Sequence, residues 1–267
     1  MKYFVLVVML FYIFFVFSNC KKQSANRSII ISDNSIFNNN TKQAENLRIR
    51  ISDDIELIKL SDRAYVHVSV SELPGFGVFS SNGLIFVVDN EAFLFDTPVT
   101  EFQTKVLVNW ITYSLSANLT TFVAGHWHDD NLGGLNYLHS IGVKSYANQM
   151  TIKLAEANKM PVPQNGFIDF LELDLGSYKI HSYFFGGAHS ADNIVTWIPS
   201  EEILFGGCMI RANNVTGLGN IADAVVDEWL PTIQQVIANF PNARIVIPGH
   251  GEIGGIELLE HTRRQLE

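Results

Sequence analysis

The chain has 267 residues, 47% of them hydrophobic and 17% charged, which excludes a disordered tail or a coiled coil and leaves one domain of ordinary size or two small ones. A net charge of −9 argues against a duplex-binding surface, because neutralising phosphates takes clustered cations, so nucleic acid is not an expected partner. Two cysteines, Cys20 and Cys208, are too few for a disulfide scaffold.

Residues 1–19 read as a signal peptide. Lys2 precedes fifteen apolar or aromatic residues, Tyr3 to Phe17. That length suits the apolar stretch of an export signal and is short of the roughly 20 residues a permanent span needs, although an uncleaved anchor stays open. Ser18-Asn19-Cys20-Lys21-Lys22 resembles a bacterial lipoprotein cleavage box, in which Cys20 becomes the acylated first residue. Phe17 and Asn19 depart from that pattern, so cleavage near Ser18 to give a soluble periplasmic protein stands beside it. The expected location is the periplasm, with Cys20 as the point of lipid attachment to a membrane. Residues 20–44 are polar, rich in Asn, Ser and Lys and without a sustained period, and read as a flexible tether. Residues 1–44 hold five cations and one anion, leaving 13 against 26, a net of −13, for the folded part, residues 45–267.

In that part, the short apolar runs Ile55–Leu60, Ala64–Val70, Leu84–Val88 and Ala92–Phe95 predict a β meander, with turns at Asn82-Gly83 and Asp89-Asn90. Residues 71–80 carry Pro74, Gly75 and Gly77 around Phe76 and Phe79, which fits a mobile hairpin with an apolar tip as well as it fits an ordinary β-turn. Helices and strands then alternate. Helices are predicted over Thr100–Ser114, Leu132–Ser140, Gln149–Ala157 with Asn148 as N-cap, Asp223–Asn239 interrupted by Pro231, and Ile256–Leu266. Strands are predicted over Thr120–Ala124, Val143–Ala147, Ile168–Leu173, Lys179–Phe185, Ile194–Ile198, Ile203–Phe205 and Ile245–Ile247. The expected fold class is α/β: two sheets packed together with helices outside, a four-layer arrangement.

Directly after the strand at Thr120–Ala124 stands Gly125-His126-Trp127-His128-Asp129-Asp130. Two imidazoles and a carboxylate at i, i+2 and i+4 just past a buried strand can converge on one face of a loop, which is metal-ligand chemistry. His189, Cys208 and His250 each sit in a turn near a glycine at a strand end. Alone, His189 or His250 would read as a core or surface histidine, and Cys208 as a buried thiol. With the other three, the six make N, O and S donors for two tetrahedral zinc ions, each keeping an open position, and thiolate with imidazole selects zinc over magnesium or calcium. In an oxidising compartment zinc would also protect a Cys208 left without a partner. His67, His139, His181 and His261 lack this turn-glycine context and read as structural or exposed.

The pattern His126-X-His128-X-Asp130 with His189, Cys208 and His250 in that order resembles the class B, subclass 1 metallo-β-lactamases. The resemblance spans residues 47–267 and extends to Leu94-Phe-Asp-Thr-Pro98, Ser145 to Thr151, Asp192-Asn-Ile194, Gly206-Gly-Cys-Met209, Gly219-Asn-Ile-Ala-Asp223 and Ile247-Pro-Gly-His-Gly251, all similar to segments of those enzymes and particularly of the Bacteroides members. Cys208 and His126 set this pattern apart from superfamily hydrolases with aspartate in place of the cysteine and from the second lactamase subclass, which has asparagine in place of the first histidine. The resemblance implies a four-layer αββα sandwich of two mixed sheets with the site at the seam between them, and a zinc-dependent β-lactamase that hydrolyses penicillins, cephalosporins and carbapenems through a metal-bound hydroxide, as a monomer, and so confers antibiotic resistance. It implies a first zinc on His126, His128 and His189 and a second on Asp130, Cys208 and His250. Asp130 would also orient the attacking solvent through its free oxygen. It further implies Arg211, where many members carry lysine, as the partner of the substrate carboxylate, and Asn220 as a donor to the carbonyl oxygen. Phe76, in the segment matching a substrate-covering flap, becomes an apolar substrate contact. Asp96 fits either a carboxylate steering the ligand loops or a structural cap. Asp129 and Asn131 depart from the Bacteroides pattern beside the second metal.

Overall fold

A computed structural model describes residues 47–267 except Phe76; the expected signal peptide and Cys20, the tether, and the flap contact Phe76 lie outside the described residues. The first sheet has eight strands in chain order: β1 (Arg48–Arg50), β2 (Ile55–Lys59), β3 (Ala64–Leu73), β4 (Gly77–Val88), β5 (Glu91–Phe95), β6 (Asn118–Val123), β7 (Lys144–Asn148) and β8 (Asn165–Phe167). The pairs from β1 to β5 are antiparallel, and those from β5 to β8 are parallel. Parallel neighbours need crossovers, and helices supply them: α1 (Glu101–Ser114), α2 (Asp129–Leu132), α3 (Leu135–Ser140) and α4 (Gln149–Ala157). The second sheet runs β13 (Ile245–Pro248), β12 (Ile203–Gly207), β11 (Val195–Ile198), β10 (Tyr178–Tyr183), β9 (Phe170–Leu175). Its parallel pair, β12 and β13, is bridged by α5 (Val226–Asn239), and α6 (Glu257–Leu266) closes the chain.

Side chains alternate along each strand, and that alternation sorts the apolar residues into three cores separating four layers. On β4 and β5, Ile85, Val87, Ala92 and Leu94 face α1, α3 and α4, joining Leu107, Ile111, Leu135 and Leu138. Their neighbours Leu84, Phe86, Phe93 and Phe95 face the other way and meet Ile180, Ile198, Ile203, Phe205 and Ile247 between the sheets. Leu204 and Val246, one residue out of step, turn to α5 and α6 and pack on Trp229, Ile233, Val236, Leu258 and Leu259. The αββα sandwich is therefore as expected.

Several local expectations are corrected. Asn82-Gly83 is no turn but lies inside β4 opposite Val68 and His67. A Cβ on Gly83 would stand 2.1 Å from His67 Nε2, so the glycine makes room for a buried ring across the ladder. The hairpin expected over residues 71–80 is present, but its strands β3 and β4 run further than the apolar runs Ala64–Val70 and Leu84–Val88, pairing as far as Leu73 with Gly77. The helix predicted over Leu132–Ser140 is instead two short ones, starting at Asp129. Pro231 does not interrupt α5: near the helix start it removes a single bond, to the carbonyl of exposed Asp227, which water can satisfy.

Candidate metal centre

The six predicted donors meet at the seam where the ends of the two sheets come together. Each lies in or just after the turn at the end of β6, β10, β12 or β13, and hydrogen bonds across the seam hold these turns in place. Ile194 N–H donates to Gly125 O (3.0 Å) and Asn82 N–H to Gly249 O (2.8 Å). The turn after β13 lies so close to β12 that a Cβ on Gly249 would stand 2.4 Å from Cys208 Sγ; only glycine allows His250 and Cys208 to share one site.

His126 Nε2 lies 2.9 Å from His128 Nδ1, which is 3.3 Å from His189 Nε2. Beside this trio, His250 Nε2 lies 3.3 Å from Cys208 Sγ and 3.3 Å from Asp130 Oδ2, with Sγ and Oδ2 3.8 Å apart. The two trios share one cluster, since His126, His189 and Cys208 also present donor atoms within 4.8 Å of one another.

The outer hydrogen bonds decide what the inward atoms are. His128 Nε2 is 2.9 Å from Asp223 Oδ2, so its proton sits there and Nδ1 turns a lone pair to the other two imidazoles. His250 Nδ1 donates to Ser80 O (2.8 Å), so Nε2 turns a lone pair toward a carboxylate oxygen and a sulfur. Burial reinforces this: it pushes His126 well below its ordinary pKa and, with His128 adding to it, His189 to about 4. Burial first, then Asp130, pushes the Cys208 thiol well up, so its thiolate requires a cation at hand.

Lone pairs facing lone pairs repel unless a cation lies between them. Tetrahedral zinc with bonds of ~2.0–2.1 Å to nitrogen or oxygen and ~2.3 Å to sulfur spaces its donors ~3.3 Å and ~3.6 Å apart, close to the separations found. The donor set and its spacing fit zinc.

Around the donors stand residues that hold them. Asn131 Oδ1 accepts from His126 N–H (3.0 Å) while its Nδ2 donates to Asp130 Oδ1 (3.2 Å), so Asn131 ties both trios and leaves Oδ2 of Asp130 facing Cys208 and His250. Asp96, in a left-handed conformation at φ 59°, accepts from Gly125 N–H (2.6 Å) with Oδ1, and so steadies the turn entering His126. Burial raises its pKa well above the usual carboxylate range. Asn82 Nδ2 donates to Pro248 O (2.8 Å) and Gly251 O (2.9 Å), clamping the turn that carries His250. Sequence reasoning missed Asn82, read as a turn residue, and missed the bond from His128 to Asp223, a partner 95 positions away with no local signal.

Arg211 lies at the start of the segment 211–224, its Nε donating to Gly217 O (3.0 Å). Asn220 is exposed, and its Oδ1 accepts from Ala222 N–H (3.1 Å), leaving the amide nitrogen as its donor.

An αββα sandwich carrying two adjoining trios of metal donors at its seam defines a metal-dependent hydrolase of this fold. The chain is 51% identical over 216 residues to the metallo-beta-lactamase type 2 of Bacteroides fragilis, covering 81% of this chain and 87% of that protein. It is 33% identical over 208 residues to the metallo-beta-lactamase type 2 of Bacillus cereus, covering 78% and 81%. The solved metallo-beta-lactamase from Pontibacter korlensis superposes with a TM-score of 0.76 at 35% identity, over 79% of this chain and 98% of that one. No protein-family model matches the chain. The chain belongs to the metallo-β-lactamases, a family of metal-dependent hydrolases acting on β-lactams.

Proposed function

We propose that this chain is a zinc β-lactamase that opens the cyclic amide of penicillins, cephalosporins and carbapenems, and so protects a bacterium from these antibiotics. The observation that carries the reading is the pair of donor trios whose outer hydrogen bonds turn lone pairs inward. His126, His128 and His189 would hold one zinc ion, and Asp130, Cys208 and His250 the other. When bound, the metal supplies a solvent nucleophile at neutral pH and Lewis-acid polarisation of the lactam carbonyl.

The chain's own groups do the rest. Arg211 pairs the guanidinium edge that has no partner among the described residues with the carboxylate carried by β-lactams, orienting the amide over the cluster. The Asn220 amide nitrogen donates to the carbonyl oxygen as charge develops there. Asp130 Oδ1, already accepting from Asn131, has a second lone pair with which to align the attacking solvent. Cys208 belongs to a donor trio, so no acyl intermediate on the chain is invoked. Phe76 supplies an apolar contact to the substrate, and the enzyme acts as a monomer.

Lys2, the apolar run and the Cys20 box support export to the periplasm with Cys20 as lipid attachment point; the mass of the mature N-terminus distinguishes acylation at Cys20 from cleavage near Ser18. The activity itself is tested by hydrolysis of a chromogenic cephalosporin with and without chelator. Turnover that chelator abolishes and zinc restores is expected, and an intact substrate with zinc in excess would overturn the reading.

A further inference from the structure

The segment 213–224 between β12 and α5 has little backbone structure. Val215 N–H donates to Ala212 O and Ala224 N–H to Ile221 O, both at 3.2 Å; between them, among the described residues, 216–220 make no backbone–backbone bond. Side chains hold the middle instead. Gly217 N–H donates to Gln265 Oε1 on α6 (2.7 Å) and Gly217 O accepts from Arg211 Nε (3.0 Å). The Arg211 guanidinium also lies against Gly219, where an added Cβ would stand 2.9 Å from Nη1 and 3.2 Å from Cζ, at a φ of +77°. Asn220 is the next residue, and three further on Asp223 holds His128.

A guanidinium is a planar fork with two usable edges. Here Nε is taken by Gly217, while Nη1 and Nη2 have no hydrogen-bond partner among the described residues. The two nitrogens form the edge that suits a carboxylate, so the group can brace the loop and receive an anion together. A lysine ammonium in the same place carries equal charge but has no second edge.

We infer that Arg211 is a positioning residue: its bond to Gly217 braces the loop that presents Asn220 and Asp223, so grip on the substrate carboxylate and placement of Asn220 reside in one rigid unit. The carboxylate half of this statement rests on the β-lactamase reading above; the brace does not.

The test compares the zinc-loaded full chain with R211K and Q265L, which release Gly217 from either side. Amide hydrogen exchange over residues 216–220 is read by mass spectrometry, with chromogenic cephalosporin kinetics alongside. In R211K, with its charge kept and its brace lost, the Gly217 N–H, the one amide of that span with an acceptor among the described residues, should exchange about 10-fold faster, the usual effect of losing one hydrogen bond to a charged group. The variant's kcat should fall by more than its KM rises, because Asn220 is no longer held. Q265L removes the acceptor of the Gly217 N–H itself and so sets the scale for full release; if R211K does not fold, R211M, which has no donor for Gly217 O, carries the test. Wild-type exchange rates in a folded variant that still hydrolyses the cephalosporin would overturn the brace and leave the lactamase reading standing. Faster exchange in a chain whose wild type hydrolyses no β-lactam would support the brace and overturn that reading instead.

Discussion

Asn82→Ala isolates the clamp on the His250 turn. The substitution removes two donated bonds, to Pro248 O and Gly251 O, each contributing ~1 kcal/mol. It also strands the buried Pro248 carbonyl, costing ~1 kcal/mol more. Against this, Asn82 Oδ1 is itself buried without a partner among the described residues, and deleting it returns ~1 kcal/mol. The net is ~2 kcal/mol, expressed where His250 must meet Asp130 and Cys208, and it corresponds to a ~30-fold weaker second metal site. Cobalt(II) in place of zinc provides the assay, because the thiolate-to-metal charge-transfer absorption reports the Cys208 site alone. Titration should show the second equivalent ~30-fold weaker and the first within ~3-fold of wild type, with Tm lower by ~4–8 °C for a domain of this size. A lowered Tm with unchanged affinity of the Cys208 site would refute the reasoning, since the clamp would then stabilise the fold without placing the ligand.

Asp223→Ala removes the group that fixes the His128 tautomer, and should weaken the first metal ~10- to 100-fold while sparing the cobalt–thiolate absorption; equal loss at both sites would contradict the assignment. Cys208→Ser should weaken the second metal far more than the first in an equilibrium titration, and two equivalents bound as tightly as in wild type would count against the second trio. His67 is fully buried, donates to Asp96 O and lies 3.0 Å from Ser69 Oγ, and burial pushes its pKa to about 4. Its neutral ring contributes stability that is complete above the unfolded value near 6.5 and lost as pH falls from there toward 4, ~3 kcal/mol in all. Denaturant unfolding of the metal-free chain should therefore show a steeper acid loss in wild type than in His67→Gln, and parallel curves would refute this.

The donor set was legible because each ligand sits in a short motif with a turn glycine, and because the order of motifs along the chain matches a known pattern. The layers were legible from alternating apolar runs such as Leu84–Val88, whose odd and even positions feed different cores. What failed depended on partners far away in sequence. Asn82-Gly83 carries the strongest local turn signal, yet His67 across the ladder and the Pro248–Gly251 turn, 166 and more positions on, make it a strand and a clamp. Arg48–Arg50 has no apolar period and is a strand only because β2 pairs with it. Asn131 looked like a departure beside the metal, and its two bonds instead tie His126 to Asp130. Arg211 was read as a partner of the substrate carboxylate and not as a brace, since its bond to Gly217 cannot be seen without the folded loop.

Diffraction from zinc-soaked crystals, with data collected on either side of the zinc absorption edge, tests the centre most directly. Two anomalous peaks are expected, one bounded by His126, His128 and His189 and the other by Asp130, Cys208 and His250. A single peak, or none within bonding distance of the Cys208 sulfur under excess zinc, would contradict a two-metal hydrolase built on these six side chains.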